Sequence, residues 1–339
     1  MKWSTGFASC LVLGALVGNA SAGQDEPVRD LGSAVRQSLL LLQRSAVRWT
    51  ERRDCFSCHH QGLGALTVGL AREQGLDVDT NWAREQSRFT QRHFRRQKDL
   101  IEQGAGLLGG PMEAGYALAA LHADGRPPDE MTNALVMYLL RTHTWDGSWR
   151  IGLPHRPPLE DSDFAATALA LRGLQLYNHD DVREIVDNRV RFAATWLADA
   201  ETRTLDDEVF RLMGLKWAGG SKKLISAATD ALIAKQRADG GWAQIDERES
   251  DAYATGQTLV ALQQDGGIAI DGDVYQRGVS FLLRSQRGDG SWFVESRDYP
   301  GRPANRYFES GFPHKNSQFI SYAATCWATS ALVLAAPAD

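Results

Sequence analysis

Apolar residues recur along this chain with the spacing of amphipathic and buried α-helices, and no stretch shows the alternation of a strand. The pattern predicts twelve helices. Their ranges are 29–52, 59–75, 79–104, 111–124, 128–143, 161–178, 182–199, 205–217, 221–237, 250–264, 272–286 and 316–335. Twelve helices make six hairpins, and hairpins that cannot bury their apolar faces alone stack against their neighbours.

Three of the predicted helices end in similar turns, each with Asp-Gly, a small residue and Trp. The turns belong to Leu140–Trp149, Gln236–Trp242 and Gln286–Trp292, and each is followed by a helix rich in Ala, Gly and Thr. Glycine supplies the positive φ that ends a helix, and Trp is large enough to fill the junction between hairpins. The repeat predicts an all-α protein, an α6/α6 toroid of six helix hairpins in a closed ring.

The second and third turns resemble the QW motif of squalene–hopene cyclases and other terpene cyclase or prenyltransferase toroids. In the first turn, His143 stands in place of the motif's Gln. The resemblance covers most of residues 128–335 and, by register, the whole mature chain. It implies a toroid in which the N-termini of the inner helices converge on a mouth where substrates bind. Since one fold hosts many activities, the resemblance leaves the activity open.

The first residues resemble a secretory signal. Lys2 precedes the apolar run 7–17, and Ala20-Ser21-Ala22 fits a cleavage site. We expect a signal peptide over 1–22, a mature start at Gly23, a single domain over 23–339 and a periplasmic or otherwise exported protein. An uncleaved anchor is the alternative. No later segment is apolar for about 18 residues, so no membrane span is expected in the mature chain.

Composition excludes two classes of protein. The formal net charge of −5 lacks the basic footprint of a nucleic-acid-binding protein. Four cysteines are too few for a disulfide scaffold of 339 residues. The basic stretch 92–98 is interpreted as a solvated helix face or a docking patch for an acidic partner.

The most specific chemical motif is C-x-x-C-H at 55–59, the attachment signature of c-type haem. Cys55 and Cys58 would form the two thioethers, and His59 would be the proximal iron ligand. The sequence therefore predicts one covalent haem c, placed at the toroid mouth by the repeat register.

The sixth haem ligand and the motif itself have other interpretations. Met112 and His314 occupy the equivalent loops of the flanking repeats and are the sixth-ligand candidates. Instead of haem, the two cysteines could form a thioredoxin-like redox pair, a structural disulfide or part of a zinc site. The resemblance adds weight to zinc, because protein prenyltransferases of this fold carry zinc at the toroid mouth.

A weaker motif precedes a predicted inner helix, where class II terpene cyclases carry D-x-D-D. The middle Asp of that motif protonates an alkene. Asp161 and Asp163 match it, and Phe164 replaces the last Asp. By resemblance Asp163 would be the catalytic acid, with Asp161 its partner. The alternative interpretation is helix capping.

Two further acidic positions lie at equivalent loops. Ser250-Asp251 begins a later inner helix and is interpreted as a cap. Asp206-Asp207-Glu208 is interpreted as a favourable charge at a helix N-terminus.

Three functions follow from these motifs. The main prediction is an exported c-type haem protein for electron transfer or redox sensing, with a redox partner protein. The first alternative is an enzyme acting on a small apolar, isoprenoid-like ligand, as a haem-dependent oxidoreductase or a cyclase-like enzyme. The second is a zinc-bearing binding module.

Overall fold

The computed structural model describes residues 30–152, 155–297 and 309–336. The predicted signal peptide and the predicted mature start at Gly23 lie outside these ranges. Within them the chain forms thirteen α-helices and no strand. The helices are α1 Leu31–Arg52, α2 Gly64–Glu73, α3 Thr80–Arg95, α4 Lys98–Glu102, α5 Gly110–Ala123, α6 Glu130–Thr142, α7 Asp163–Leu176, α8 Arg183–Asp199, α9 Leu205–Trp217, α10 Lys222–Ala234, α11 Ala252–Gln264, α12 Asp273–Ser285 and α13 Gln318–Ala335.

Two of the predicted helices differ from the structure in detail. The range predicted as one helix over 79–104 is divided into α3 and α4, because the backbone leaves helical geometry at Gln97 (φ −124°, ψ 20°). The first turn of the helix predicted over 59–75 is a π-helix, Cys58–Leu63, which leads directly into α2. The remaining ranges agree within a few residues.

Six helices form an inner ring. In ring order they are α2, α5, α7, α9, α11 and α13, and α13 contacts α2, so that the ring closes. The outer layer consists of α1, α3, α6, α8, α10 and α12, each packed on inner neighbours. The predicted α6/α6 toroid is therefore confirmed.

Small residues allow the inner helices to approach closely. A Cβ added at Gly115 of α5 would lie 2.6 Å from the Leu169 carbonyl group of α7. A Cβ added at Gly256 of α11 would lie 2.5 Å from the backbone of Trp327 and Ala328 in α13. These helices touch backbone to backbone, so a larger residue would separate them.

The three Asp-Gly-x-Trp turns share one set of hydrogen bonds. The indole Nε1 of Trp242 donates to the Leu232 carbonyl at 2.7 Å, and its backbone N–H donates to Thr255 Oγ1 at 2.9 Å. Trp149 and Trp292 make the corresponding bonds. The Trp thus ties the end of an outer helix to the following inner helix, which explains the repeat seen in the sequence.

One helix is long and apolar enough to cross a membrane, the segment Lys315–Ala335. Its most apolar stretch is 94 % buried inside the protein, where α13 forms part of the inner ring.

Candidate functional site

A cavity of about 550 Å³ lies at the mouth of the ring. The π-helical turn and the N-terminal ends of α5 and α13 form its wall, together with the loop that precedes α7. Trp49, Phe56 and Phe319 give it an aromatic lining. The N-terminal ends of three inner helices, α2, α5 and α13, thus meet at this cavity beside the loop before α7.

The residues of the C-x-x-C-H motif all line this cavity. Cys55 is an exposed free thiol at its rim, and Cys58 is a buried free thiol in its wall. Nδ1 of His59 lies 3.0 Å from Ser57 Oγ, an arrangement that holds the imidazole by one edge. Covalent haem at Cys55, Cys58 and His59 fits this placement and stays a prediction.

Burial shapes the chemistry of these groups. It raises the pKa of the Cys58 thiol, and it lowers the pKa of His59 well below its usual value. His60 is stacked on Trp49 at 4.8 Å between ring centroids and lies 4.0 Å from the ring of Tyr322. Burial lowers the pKa of His60 to about 3. At neutral pH both imidazoles are therefore uncharged and the Cys58 sulfur is a thiol.

The interior beneath the cavity is filled by tyrosines. A Cβ added at Gly62 would lie 3.0 Å from Tyr116, and one added at Gly64 would lie 2.5 Å from the Tyr322 hydroxyl. Only glycine leaves room for these rings beside the π-helical turn. The open space is therefore at the mouth, above a tyrosine floor.

The two sixth-ligand candidates do not line the cavity. Met112 is fully buried in α5, and His314 lies with its Nε2 2.8 Å from Ser291 Oγ. The zinc alternative stays a prediction, and such a site would need several grouped ligands. Among the described residues, no three His, Cys, Asp or Glu side chains are grouped so that they could hold a metal ion.

An ion pair that the sequence analysis missed crosses the cavity wall. Arg156 donates to both carboxylate oxygens of Glu160 at 2.6 and 2.7 Å, and its guanidinium lies 5.0 Å from the centre of the Phe319 ring. A bidentate pair of this kind leaves neither charge uncompensated in the wall.

The predicted acids Asp161 and Asp163 lie outside the cavity lining. Asp163 binds Arg150 at 2.8 Å and accepts from the Ile151 N–H at 2.9 Å, while Asp161 lies 3.2 Å from Nδ1 of His155. Ser162 is the N-cap of α7. These contacts favour the structural interpretation of the motif, in which it caps a helix and anchors a loop.

A different carboxyl group has the environment of a proton donor. Asp206, in the first turn of α9, is 3 % exposed. Its Oδ1 accepts from the Tyr253 hydroxyl and from Gln257 Nε2, both at 2.9 Å, and its Oδ2 has no hydrogen-bond partner among the described residues. Burial, with a smaller contribution from the charge of the neighbouring Asp207, raises the pKa of Asp206 to about 7, although the hydrogen bonds from Gln257 and Tyr253 and the charge of Arg297 lower it.

Asp207 is fixed by the helix start. Its carboxylate accepts from Ser162 Oγ at 2.6 Å and from the Arg203 N–H at 2.8 Å. Thr204 and Asp207 form a capping box at the start of α9. Two adjacent acids thus have different roles, because Asp207 caps the helix and Asp206 faces the ring interior.

The sequence did contain a signal for Asp206. Thr204-Leu205-Asp206-Asp207 matches the last two positions of D-x-D-D, including the middle Asp, and lies at an inner-helix N-terminus. The stretch at 161–164 matches the first and third positions instead. The motif therefore fits both stretches equally well, and burial separates them.

Comparison with known proteins agrees with the toroidal fold. No family model matches the chain. Drimenyl diphosphate synthase of Streptantibioticus cattleyicolor is 29 % identical over 173 residues, which cover 46 % of this chain and 30 % of that protein. The matched part thus spans less than a third of this curated relative.

Solved structures agree over nearly the whole chain. Apo type II terpene cyclase MstE from Scytonema superposes with a TM-score of 0.59 at 16 % identity, covering 91 % of this chain and 99 % of that one. A variant of MstE in complex with the substrate geranylgeranyl dihydroxybenzoate gives 0.57 at 16 % identity, covering 91 % and 100 %. The fold is terpene cyclase-like.

These similarities correct the main functional prediction. Electron transfer or redox sensing by a c-type haem protein is wrong as a description of this chain, because the relative and the structural neighbours are terpene cyclases. The cyclase-like alternative agrees with them. The motif at 55–59 misled because it is read from five residues, whereas the resemblance extends over the whole ring.

Proposed function

We propose that this protein is a cyclase-like enzyme that closes rings in a linear isoprenoid-like substrate by protonating a carbon–carbon double bond. One observation carries the proposal, the buried carboxyl group of Asp206 inside a terpene cyclase-like ring. Two neutral donors occupy Oδ1, so the proton of the acid resides on Oδ2, which has no other partner among the described residues.

Protonation of an alkene needs an acid that is kept neutral away from water. In the proposed step the O–H bond at Oδ2 breaks and the proton bonds to one alkene carbon. The electron pair of a second double bond then closes a ring on the resulting cation. The reaction ends when a C–H bond next to the last cation breaks and its electrons form a new double bond. The proton lost there balances the proton added, so the product is an isomer of the substrate.

The cavity supplies the binding surface. Its aromatic lining suits hydrocarbon chains, and aromatic faces stabilise cations by cation–π attraction. Burial raises the pKa of Tyr116 in α5, and the charges of Asp206 and of the wall groups Cys58 and Glu160 add to this effect. Asp206 does not line the cavity, so a substrate that enters from the mouth must displace interior side chains to bring a double bond to the acid.

The test uses the mature protein with farnesyl diphosphate, farnesol and squalene as linear isoprenoid probes. Products are extracted and identified by gas chromatography with mass spectrometry, after phosphatase treatment for the diphosphate. We expect a cyclic isomer of at least one probe, and a loss of about 100-fold or more for Asp206→Asn.

Asp163→Asn is the matched control, because it removes a carboxylate of the other D-x-D-D-like stretch. We expect it to keep turnover within a few fold. Loss of turnover in Asp163→Asn with full retention in Asp206→Asn would overturn the assignment of the acid. Absence of any cyclic isomer from all three probes would count against the cyclase function.

A further inference from the structure

A pair of buried polar atoms in the wall of the mouth cavity has no hydrogen-bond partner among the described residues. The atoms are Nδ1 of His60 and Nε2 of Gln318, and both residues line the cavity. His60 is fully buried, and Gln318 is 4 % exposed. A buried polar atom without a partner costs free energy, so each of the two atoms calls for a bound group.

The position of the proton on His60 follows from its other nitrogen. Nε2 lies 3.2 Å from Ser45 Oγ, and that hydroxyl donates its one proton to the Ser310 carbonyl at 3.0 Å. Ser45 Oγ therefore accepts from His60, and the proton of the uncharged imidazole lies on Nε2. Nδ1 carries a lone pair and is a hydrogen-bond acceptor.

The amide group of Gln318 is oriented by the same serine. Its Oε1 accepts from the Ser310 backbone N–H at 3.0 Å and from the Ser310 hydroxyl at 2.6 Å. A reversed amide group would place the donor Nε2 against these two donors. The free end of the Gln318 side chain is therefore Nε2, which is a hydrogen-bond donor.

A hydroxyl group satisfies both atoms. It can donate its proton to Nδ1 of His60, and its oxygen can accept from Nε2 of Gln318. An ionised diphosphate or carboxylate has no proton to offer Nδ1, and the lone pair on Nδ1 repels an anionic oxygen. A hydrocarbon makes neither bond. The pair thus distinguishes a neutral hydroxyl group from an anion and from a hydrocarbon.

We propose that His60 and Gln318 bind the hydroxyl group of an uncharged isoprenoid alcohol whose hydrocarbon chain lies in the mouth cavity. The inference rests on the proposed function and names its substrate class. The hydroxyl group is bound and not altered, because ring closure begins at a double bond. His60 and Gln318 are therefore specificity-determining residues and not proton donors.

The first experiment compares two ligands without turnover. Geraniol and geranyl methyl ether are each titrated by calorimetry into the mature protein carrying Asp206→Asn. The ether keeps an oxygen that accepts from Gln318 but has no proton for His60. We expect geraniol to bind about tenfold more tightly, a difference of about 1.4 kcal/mol. Equal affinities would overturn the proposal and assign the two atoms to a bound water that neither ligand displaces.

His60→Phe, made in the same protein, tests the acceptor. It keeps an aromatic ring against Trp49 and Tyr322 and leaves Ser45 bonded to Ser310. We expect the preference for geraniol over the ether to vanish. Because the two ligands are compared in one protein, a general loss of stability does not change their ratio. A preference that stays tenfold would overturn the role of Nδ1.

His93→Phe is the matched control, since His93 also lines the cavity but both of its nitrogens have partners. Nδ1 lies 3.1 Å from the Asp54 carbonyl, and Nε2 lies 3.2 Å from Gln97 Nε2. We expect this variant to keep the preference for geraniol. Loss of the preference here as well would show that it does not come from Nδ1 of His60, and would overturn the proposal.

Gln318→Met tests the donor. Both ligands have an oxygen that accepts from Nε2 of Gln318, so we expect the variant to bind both more weakly by similar factors and to keep their ratio. Unchanged affinities would contradict the role of Nε2.

The inference and the proposed function can fail separately. If geraniol is preferred and His60→Phe abolishes the preference, but no probe is cyclised, the hydroxyl site stands and the cyclase function fails. If farnesol, farnesyl methyl ether and farnesyl diphosphate are cyclised with equal KM, the cyclase function stands and the hydroxyl site is overturned. Cyclisation of farnesol with the lowest KM of the three supports both.

Discussion

The Tyr253 hydroxyl donates a hydrogen bond of 2.9 Å to Oδ1 of Asp206. This bond favours the charged form of the acid and so lowers its pKa, against the larger effect of burial. Tyr253→Phe should raise the pKa of Asp206 above about 7. Activity that needs the protonated acid would then persist to higher pH, by about one pH unit.

A pH–rate profile of kcat measures this shift. Tyr275→Phe is its control, because Tyr275 is also fully buried and donates to the Ala331 carbonyl at 2.8 Å, away from the acid. We expect both variants to lose similar stability and only Tyr253→Phe to shift the profile. A shift to lower pH would contradict the role assigned to the hydroxyl.

Asp206 also makes the stability of the protein depend on pH. The carboxyl group has a pKa near 3.8 in the unfolded chain and a pKa of about 7 in the folded protein. The unfolded state therefore loses its proton first as the pH rises, and the folded state becomes less stable between about pH 4 and pH 7, then levels off. A difference of about three pKa units corresponds to the order of 4 kcal/mol.

Asp206→Asn removes this dependence while keeping an acceptor for Tyr253 and Gln257. We expect the variant to be more stable than the unmodified protein at pH 8 and similar to it at pH 4. Urea unfolding at the two pH values compares them. Equal stability at pH 8 would mean that the carboxyl is not held protonated by burial.

Gln286 helps to close the ring, so we expect its replacement to loosen one particular helix, α1. Its Nε2 donates to the Gly290 carbonyl at 3.1 Å and to the Ala34 carbonyl of α1 at 3.0 Å, so it links the last Trp turn to the first helix. Gln286→Ala should cost about 1–3 kcal/mol and increase amide hydrogen exchange in α1.

Gln236→Ala is the control. It removes two hydrogen bonds of the same kind, to the carbonyls of Gly240 and Val274, at a turn that is linked to α12 instead of α1. It should destabilise the protein by a similar amount without increasing exchange in α1. Equal exchange in α1 for the two variants would show that Gln286 has no particular part in closure.

Haem and an isoprenoid chain would occupy the same cavity, so one measurement separates them. The cyclase proposal expects the intact mass of the mature chain, from a host that matures c-type cytochromes, to be unmodified. If the motif at 55–59 binds haem instead, the mass should be raised by one haem, and the Cys55→Ser/Cys58→Ser variant should lose this increase. The raised mass would contradict the substrate site at the mouth.

The fold was predictable because its information is local and repeated. In each of the three Asp-Gly-x-Trp turns a Gly with positive φ, such as Gly240 with φ +88°, stands two residues before a buried Trp, and both are visible in the sequence. The π-helical turn at Cys58–Leu63 was not predictable, since it depends on the distant rings of Tyr116 and Tyr322 that press on Gly62 and Gly64.

Asp206, which we propose as the acid, could not be told apart from Asp163 in the sequence for a related reason. Asp163 and Asp206 both lie in the first turn of an inner helix, so the two residues look alike in the sequence. Asp206 is distinguished by Tyr253 and Gln257, which follow 47 and 51 residues later. Only the packing of α11 against α9 brings these side chains to the carboxyl group.

The closed ring also fixes the order in which the site can form. Phe319 in the cavity wall and Tyr322 against His60 belong to α13, at the far end of the chain from α1 and α2. Contacts between such distant segments form slowly, because a long loop must close first. A nascent chain that still lacks α13 has an open, apolar flank, so folding of the site must await the synthesis of α13 and depends on protection of that flank until then.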